Sequence, residues 1–273
     1  MTRIKIILSY LFGLVLSICL FLLCALLIGK KTVLDKSFVY RLMDENNYYD
    51  KVYTSINEDI MDYMTSSGLE KEVLDGVVDR DKVESDIKNY TDSLYTNNTY
   101  VVDTKELNTK LNNNIKNYLK KLNLGIDNSN ELNLFVSDVE KIYREEVSFY
   151  NTIDILKPYI SRIDKIINKV IIIDLIICLV LSLFMLLLRI INVGSCIMSS
   201  GFILFLVKLF IYERIDSSSI LIVSDHFSLI IRSMFSYINK YMIIMSIALV
   251  ISGFILCLFK SKKNDWKNVA KLV

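Results

Sequence analysis

The fold class this sequence predicts is an all-α integral membrane protein: four transmembrane helices, with an extracytoplasmic helical bundle inserted between the first and the second. Three observations predict it. Four stretches are apolar over a length fit to cross a bilayer: Ile6–Ile28, Val170–Leu188, Cys196–Tyr212 and Tyr241–Phe259. A hydrocarbon core of about 30 Å takes about 20 apolar residues in a helix, a length that the first and last runs reach. Hydrophobic residues make up 53% of the 273 and charged residues only 23%, too apolar a balance for an ordinary soluble domain. Finally, the chain has 8 glycines and a single proline, Pro158. Sheets and hairpins need turn residues at short intervals, so this scarcity points to long helices.

Residues 1–30 hold the first span behind a short N-terminus. Arg3 and Lys5 ahead of an apolar run resemble a signal peptide, but the run exceeds the usual h-region of about 7–15 residues and no small-x-small cleavage site follows. A retained span is the expectation. Residues 31–165 form the polar domain, 166–213 a hairpin of spans two and three, 214–239 an outer loop, 240–260 the fourth span, and 261–273 a basic tail. Lys260, Lys262, Lys263, Lys267 and Lys271 follow the last span. Lysines flanking a span mark its cytoplasmic side, so four spans place both termini in the cytoplasm and residues 31–165 outside it. Lys30 and Lys31 oppose this rule and offset Arg3 and Lys5. The abundance of Ile, Asn and Lys is the coding bias of a low-GC bacterium, so the expected location is a bacterial plasma membrane.

The polar domain is acidic: between Thr32 and Asp164 stand 25 Asp and Glu against 16 Lys and Arg. Such a face repels phosphate backbones, so nucleic acid is not an expected partner. Apolar residues recur there at helical spacing. Tyr49, Val52, Tyr53, Ile56, Ile60, Tyr63 and Met64 make one stripe, ended by Ser66-Ser67-Gly68. A short segment, Leu69–Val78, leads to Val83, Ile87, Tyr90 and Leu94, and Asn97-Asn98 breaks that pattern. Leu107, Leu111, Ile115, Tyr118 and Leu122 form the next stripe, stopped at Gly125. Leu132, Phe135, Val139, Ile142 and Tyr143 open a long helix expected to run, with a kink at Pro158, into the second span. Four or five helices of this kind would bury a tyrosine-rich core. In the loop 214–239, Ser224 or Asp225 caps a helix whose Phe227, Ile230, Ile231, Met234 and Ile238 share a face; it lies at the interface or runs on into the fourth span.

Charged side chains inside apolar runs are functional candidates by default, and this chain has two, Asp174 and Lys208. The short connection between spans two and three puts them at similar depth, so they form a candidate intramembrane ion pair. Asp174, Cys178 and Ser182 are spaced to share one helix face. Snorkelling of each charge to the interface is the plainer alternative. Ser9, Gly13 and Ser17 on the first span, and Ala248 and Ser252 on the fourth, are candidate helix-packing positions, because small residues let backbones approach in lipid.

Other features carry no chemistry. All five cysteines, Cys19, Cys24, Cys178, Cys196 and Cys257, lie in apolar runs, which leaves the polar domain without a disulfide framework or a thiolate metal site. His226 is the single histidine and stands alone in a loop. The run Asp75, Asp79, Asp81, Glu84, Asp86 lacks the glycine and ligand spacing of a calcium loop. Asn89 and Asn97 match the glycosylation sequon, a match that chance supplies in an asparagine-rich chain. No catalytic, cofactor or metal-binding motif is present, so no catalytic residue, cofactor or metal is expected.

The layout of one span, a large outer domain and three further spans is similar to that of the permease subunits of bacterial exporter or cell-division ABC systems. Those subunits carry a sizeable cytoplasmic coupling segment between spans two and three. Here that link is Arg189–Gly194, too short to dock on an ATPase, and no residue motif carries over. The expected function is therefore that of a non-enzymatic scaffold, regulatory or sensor subunit, whose outer domain binds a protein or envelope component. A transporter or permease subunit using Asp174 and Lys208 is the alternative. The sequence sets no oligomeric state.

Overall fold

In the computed structural model, the residues described are 3–96, 98–123, 129–149, 157–188, 193–214 and 225–269. Every regular element among them is helical: α1 (Arg3–Lys31), α2 (Lys36–Glu45), α3 (Tyr48–Ser66), a 3-10 turn (Lys71–Leu74), α4 (Arg80–Tyr95), α5 (Lys105–Lys121), α6 (Ser129–Val147), α7 (Lys157–Leu188), α8 (Val193–Arg214) and α9 (Asp225–Val269). Four of these, α1, α7, α8 and α9, are long and apolar enough to cross a membrane. The chain divides into two compact units. One, the polar unit, gathers α2–α6 with the first turns of α7 and α9; the other, the apolar unit, holds α1, α8 and the remainder of α7 and α9.

The polar unit is built on the stripes read from the sequence. On α3, Tyr49, Val52, Ile56, Ile60 and Met64 are buried, while Tyr53 and Tyr63 stay partly exposed. On α4 the whole stripe Val83, Ile87, Tyr90, Leu94 is buried. Asp79 caps that helix: its carboxylate accepts the backbone N–H of Asp81 at 2.9 Å, satisfying a donor that has no partner within the helix. On α5, Leu107, Leu111 and Ile115 are buried. Leu122 lies beyond the helix end and is 49% exposed, because the chain leaves the helix at Asn123 with φ 53°, ahead of Gly125, which lies outside the described residues. α2 was not anticipated. Its buried Phe38, Val39, Leu42 and Met43 form one helical face, joined to α3 through Asn47 at φ 50°, a left-handed conformation that asparagine tolerates.

The single kinked helix expected from Leu132 onward is instead two. α6 ends at Val147, Phe149 turns the chain at φ 52°, and α7 begins at Lys157 with Pro158 in its first turn. There the missing proline N–H has no helical partner to lose, so Pro158 starts a helix rather than bending one. A phenylalanine at positive φ costs about 1–2 kcal/mol. Phe149 is held there by rings: Tyr48 at 6.0 Å, Tyr90 at 5.5 Å and Phe227 at 5.0 Å between centroids. Phe227 belongs to α9, which runs unbroken from Asp225 and buries Ser228 and Ile230 as well. Of its two expected courses, the segment from Asp225 thus takes the one that runs on into the fourth span, and Phe227 adds its ring to this core.

The acidic run is structural. Asp86 is fully buried on α4 and accepts from Lys82 Nζ at 2.8 Å, Tyr100 OH at 2.7 Å and Tyr143 OH at 2.9 Å. Burial, with Asp86 close by, pushes the Tyr143 phenol above its ordinary value. Glu84 bridges Lys88 at 2.6 Å and Arg80, whose Nε also donates to Asp50 at 2.9 Å. The Lys88 hydrogen bond, against some burial, holds the Glu84 carboxyl below its ordinary value.

Candidate functional site

Close backbone approach builds the apolar unit. On α8 and α9, small residues stand two turns apart, Gly194 and Gly201 on one, Ser246 and Gly253 on the other. A Cβ on Gly194 would fall 2.7 Å from the carbonyl oxygen of Gly253, and one on Gly201 would fall 2.9 Å from that of Ser246. Ser246 Oγ donates to the Gly201 carbonyl at 2.9 Å, a hydrogen bond that only this close crossing permits. α1 meets α8 similarly: Gly13 and Ser17 are buried, and the Ser17 hydroxyl reaches the carbonyls of Gly13 at 2.9 Å and of Cys196 at 3.1 Å.

Against these, the candidate packing positions divide. Gly13 and Ser17 lie on the packed face of α1; the side chain of Ser9 lies outside the described residues. Ala248 and Ser252 are exposed, and Ser252 Oγ turns back to its own helix at the Leu249 carbonyl. The packed face of α9 is Met242, Ser246 and Gly253 instead. The seven-residue spacing shared by the small pairs on α8 and α9 is the signal that finds it, because seven residues are two helical turns.

Asp174 is the one buried carboxylate among the described residues of the apolar unit, at 8% exposure. It lies on α7 one turn from Cys178, and its carboxylate acts on two thiols, Cys178 and Cys19 of α1. Its Oδ2 is buried without a hydrogen-bond partner. Lys208, the other charge of the candidate pair, is half-buried on α8. Cys178, Leu16, Met185 and Cys196 form one apolar cluster, with Phe12, Cys19 and Leu181 packed on it. A second cluster joins Cys24 and Ile28 of α1 to Leu204 of α8 and Met242 of α9.

No described group of three or more His, Cys, Asp or Glu side chains could hold a metal ion. His226 sits in the first turn of α9 in the polar unit, near Asp59 of α3. Burial first, then the neighbouring Asp62 and Glu58, raise the Asp59 carboxyl above its ordinary value, and His226 opposes that shift. In comparison with known proteins, the chain matches no family model, no curated protein and no solved structure.

Proposed function

We propose that this chain is a non-enzymatic multi-pass protein of a bacterial plasma membrane, with both termini cytoplasmic and its polar unit on the outer side. That unit binds a protein or envelope partner, and the chain serves as a scaffold, regulatory or sensor subunit of a membrane complex. The supporting observation is the fate of the buried polar groups in the polar unit. Asp86, the most buried carboxylate, is consumed by Tyr100, Tyr143 and Lys82, which leaves the acidic outer surface as the working part. Exposed Val101 and Leu134 are apolar positions on it where a partner gains contact area.

A cysteine at exposed Asn113 should react with an impermeant thiol reagent in intact cells, and one at Asn264 should react only after the membrane is opened. The reverse pattern overturns the orientation. A photo-crosslinker at Leu134 or Val101 should capture a membrane or envelope protein in living cells. Co-purification with an ATPase, or a proton-coupled flux in vesicles, would sink the scaffold reading. Asp174 favours a second reading, a transporter or permease subunit, since a carboxylate with a buried unpartnered oxygen in a span is costly to keep without use. Flux abolished by Asp174→Asn or Lys208→Met with the fold intact would establish that reading.

A further inference from the structure

The end of α1 lies beside the beginning of α7. The rings of Phe12 and Phe184 meet with centroids 5.3 Å apart, and Lys30 Nζ donates to Asn168 Oδ1. Moving along α1 from Phe12 to Lys30 is moving back along α7 from Phe184 to Asn168, so the two helices are antiparallel. This puts Lys30 and Lys31 at the same end of the helix pair as Lys165 and Lys169, and all four side chains are exposed. Residues 28–31 and 163–170 hold these four lysines against one carboxylate, Asp164. Asp164 accepts the Asn168 amide at 3.3 Å. Lys30 is thus held by the neutral side chain of Asn168, which cancels none of its charge. Among the described residues, no ion pair engages any of the four lysines. Like charges one turn apart on a helix, as Lys165 and Lys169 are, repel each other. Marking the cytoplasmic side does not explain the cluster either. In a four-span chain the end of the first span lies across the bilayer from the basic tail.

We infer that Lys30, Lys31, Lys165 and Lys169 bind the phosphodiester headgroup of an anionic phospholipid at the edge of the bilayer. The surface next to them fits the rest of such a molecule. On α7, Lys165, Lys169, Ile172, Ile173 and Ile176 recur at helical spacing along one face, and the three isoleucines are each more than half exposed. On α1, Leu27 stands one turn before Lys31 and is exposed as well. A headgroup at the level of the lysines therefore lays its acyl chains along bare aliphatic surface. Lys165 and Lys169 start about 6 Å apart along the helix axis. Their ammonium groups reach the headgroup layer while their stems stay on apolar surface. Each basic side chain at a membrane surface strengthens attraction to anionic lipid by about fivefold. A zwitterionic lipid carries its own ammonium beside the phosphate, so the cluster selects phosphatidylglycerol over phosphatidylcholine. The inference depends neither on which side of the membrane the polar unit faces nor on what that unit binds.

The test uses the full-length protein in phosphatidylcholine vesicles that contain phosphatidylglycerol. Trp266→Phe removes the single tryptophan, and Ile173→Trp puts a fluorophore one turn below Lys169 on the exposed face. Phosphatidylglycerol brominated on its acyl chains should quench it more than brominated phosphatidylcholine at equal mole fraction. Lys165→Gln with Lys169→Gln, and separately Lys30→Gln with Lys31→Gln, should each lower that preference at least about fivefold. Lys165→Arg with Lys169→Arg should keep it, and Lys262→Gln with Lys263→Gln in the tail should leave it unchanged. Circular dichroism matching the parent shows each variant folded. Equal quenching by the two lipids, or a preference that either lysine pair can lose without effect, overturns the inference. An equal loss in the tail variant would make the preference a matter of net charge and overturn the cluster. Competition by inorganic phosphate beyond that of sodium chloride at the same ionic strength would assign the lysines to free phosphate and overturn the lipid.

Discussion

The two compact units place their polar and apolar groups in opposite ways. In the polar unit, Ile56, Ile60, Ile87 and Leu111 are wholly buried and the ion pairs of Arg80, Lys36 and Lys121 lie on the surface. In the apolar unit, the exposed side chains are the large hydrophobes, Leu14, Ile172, Leu183, Phe210 and Phe259 among them. Its buried side chains include Ser17, Asp174, Ser200 and Ser246. Burying a hydrophobe gains free energy only against water. Where lipid is the solvent, leucine gains nothing by turning inward, and helices associate through close backbone contact and hydrogen bonds. One chain thus carries two folding rules, and substitutions should separate them.

The largest expected effect is in the polar unit. Ile56→Ala removes a side chain with no exposure and should cost about 2–5 kcal/mol, transfer and cavity terms together. Denaturant unfolding of the full-length protein in detergent, followed by tyrosine fluorescence, would measure it. A loss below about 1 kcal/mol, the range of surface changes, would mean that α3 is not the centre of this core.

Next comes Asp86→Asn, which keeps the volume but removes the charge from three hydrogen bonds. It should cost about 1.5–3 kcal/mol, the range for bonds to a charged group. The same measurement in a Tyr143→Phe background should show a smaller loss, because one donor is already gone. Full additivity would separate Asp86 from Tyr143 and dissolve the network.

In the apolar unit, Gly253→Ala should cost about 1–3 kcal/mol by overpacking, since its Cβ would meet the Gly194 carbonyl oxygen and the Met198 nitrogen at 2.6 Å. Gly29→Ala meets nothing within 4 Å and should fall within about 0.5 kcal/mol of the parent. Unfolding in mixed lipid–detergent micelles would compare them. Equal effects would mean that α8 and α9 do not approach as closely as this crossing requires.

The smallest effect is a pH dependence confined to the polar unit. Lys88 holds Glu84, and Lys36 holds Asp92, below the ordinary carboxylate values, each hydrogen bond outweighing burial. Their stabilisation is complete above the unfolded-state values, near about 4, and is lost as pH falls through the lower folded-state values. Glu84→Gln and Asp92→Asn should therefore flatten the acid limb of a stability–pH curve and leave its neutral part less changed in slope. Asp59 has the opposite sign. Its raised value makes the charged form unfavourable in the folded state, so Asp59→Asn should raise the unfolding midpoint at pH 7, and the gain should shrink on acidification through the folded value to below the unfolded one. A gain that persists at pH 3 would point to a cause other than charge.

Much of the fold could be read in the chain. The apolar runs mark α1, α7, α8 and α9 because length and hydropathy are local properties, independent of what each helix touches. The stripes on α3, α4 and α5 mark their buried faces because water on one side makes the inward face the apolar one. α2 escaped because its stripe, Phe38, Val39, Leu42 and Met43, covers a helix of only 10 residues, too short for its period to stand out. Pro158 was misplaced because a proline in a helical pattern reads equally as a kink or as a start. Only the turn at Phe149, held by rings from α3, α4 and α9 that are distant in sequence, tells which.

The candidate site was legible in composition but not in direction. That Asp174 is the exceptional group of its span follows from hydropathy alone. That α9 packs through Ser246 and Gly253 rather than Ala248 and Ser252, only the tertiary structure decided. A span that is apolar all round has no amphipathic stripe to announce its inner face. Its rotation is set by where a partner's backbone can come closest, as the carbonyls of Gly194 and Gly201 come to α9, and that is a property of two helices rather than of either sequence.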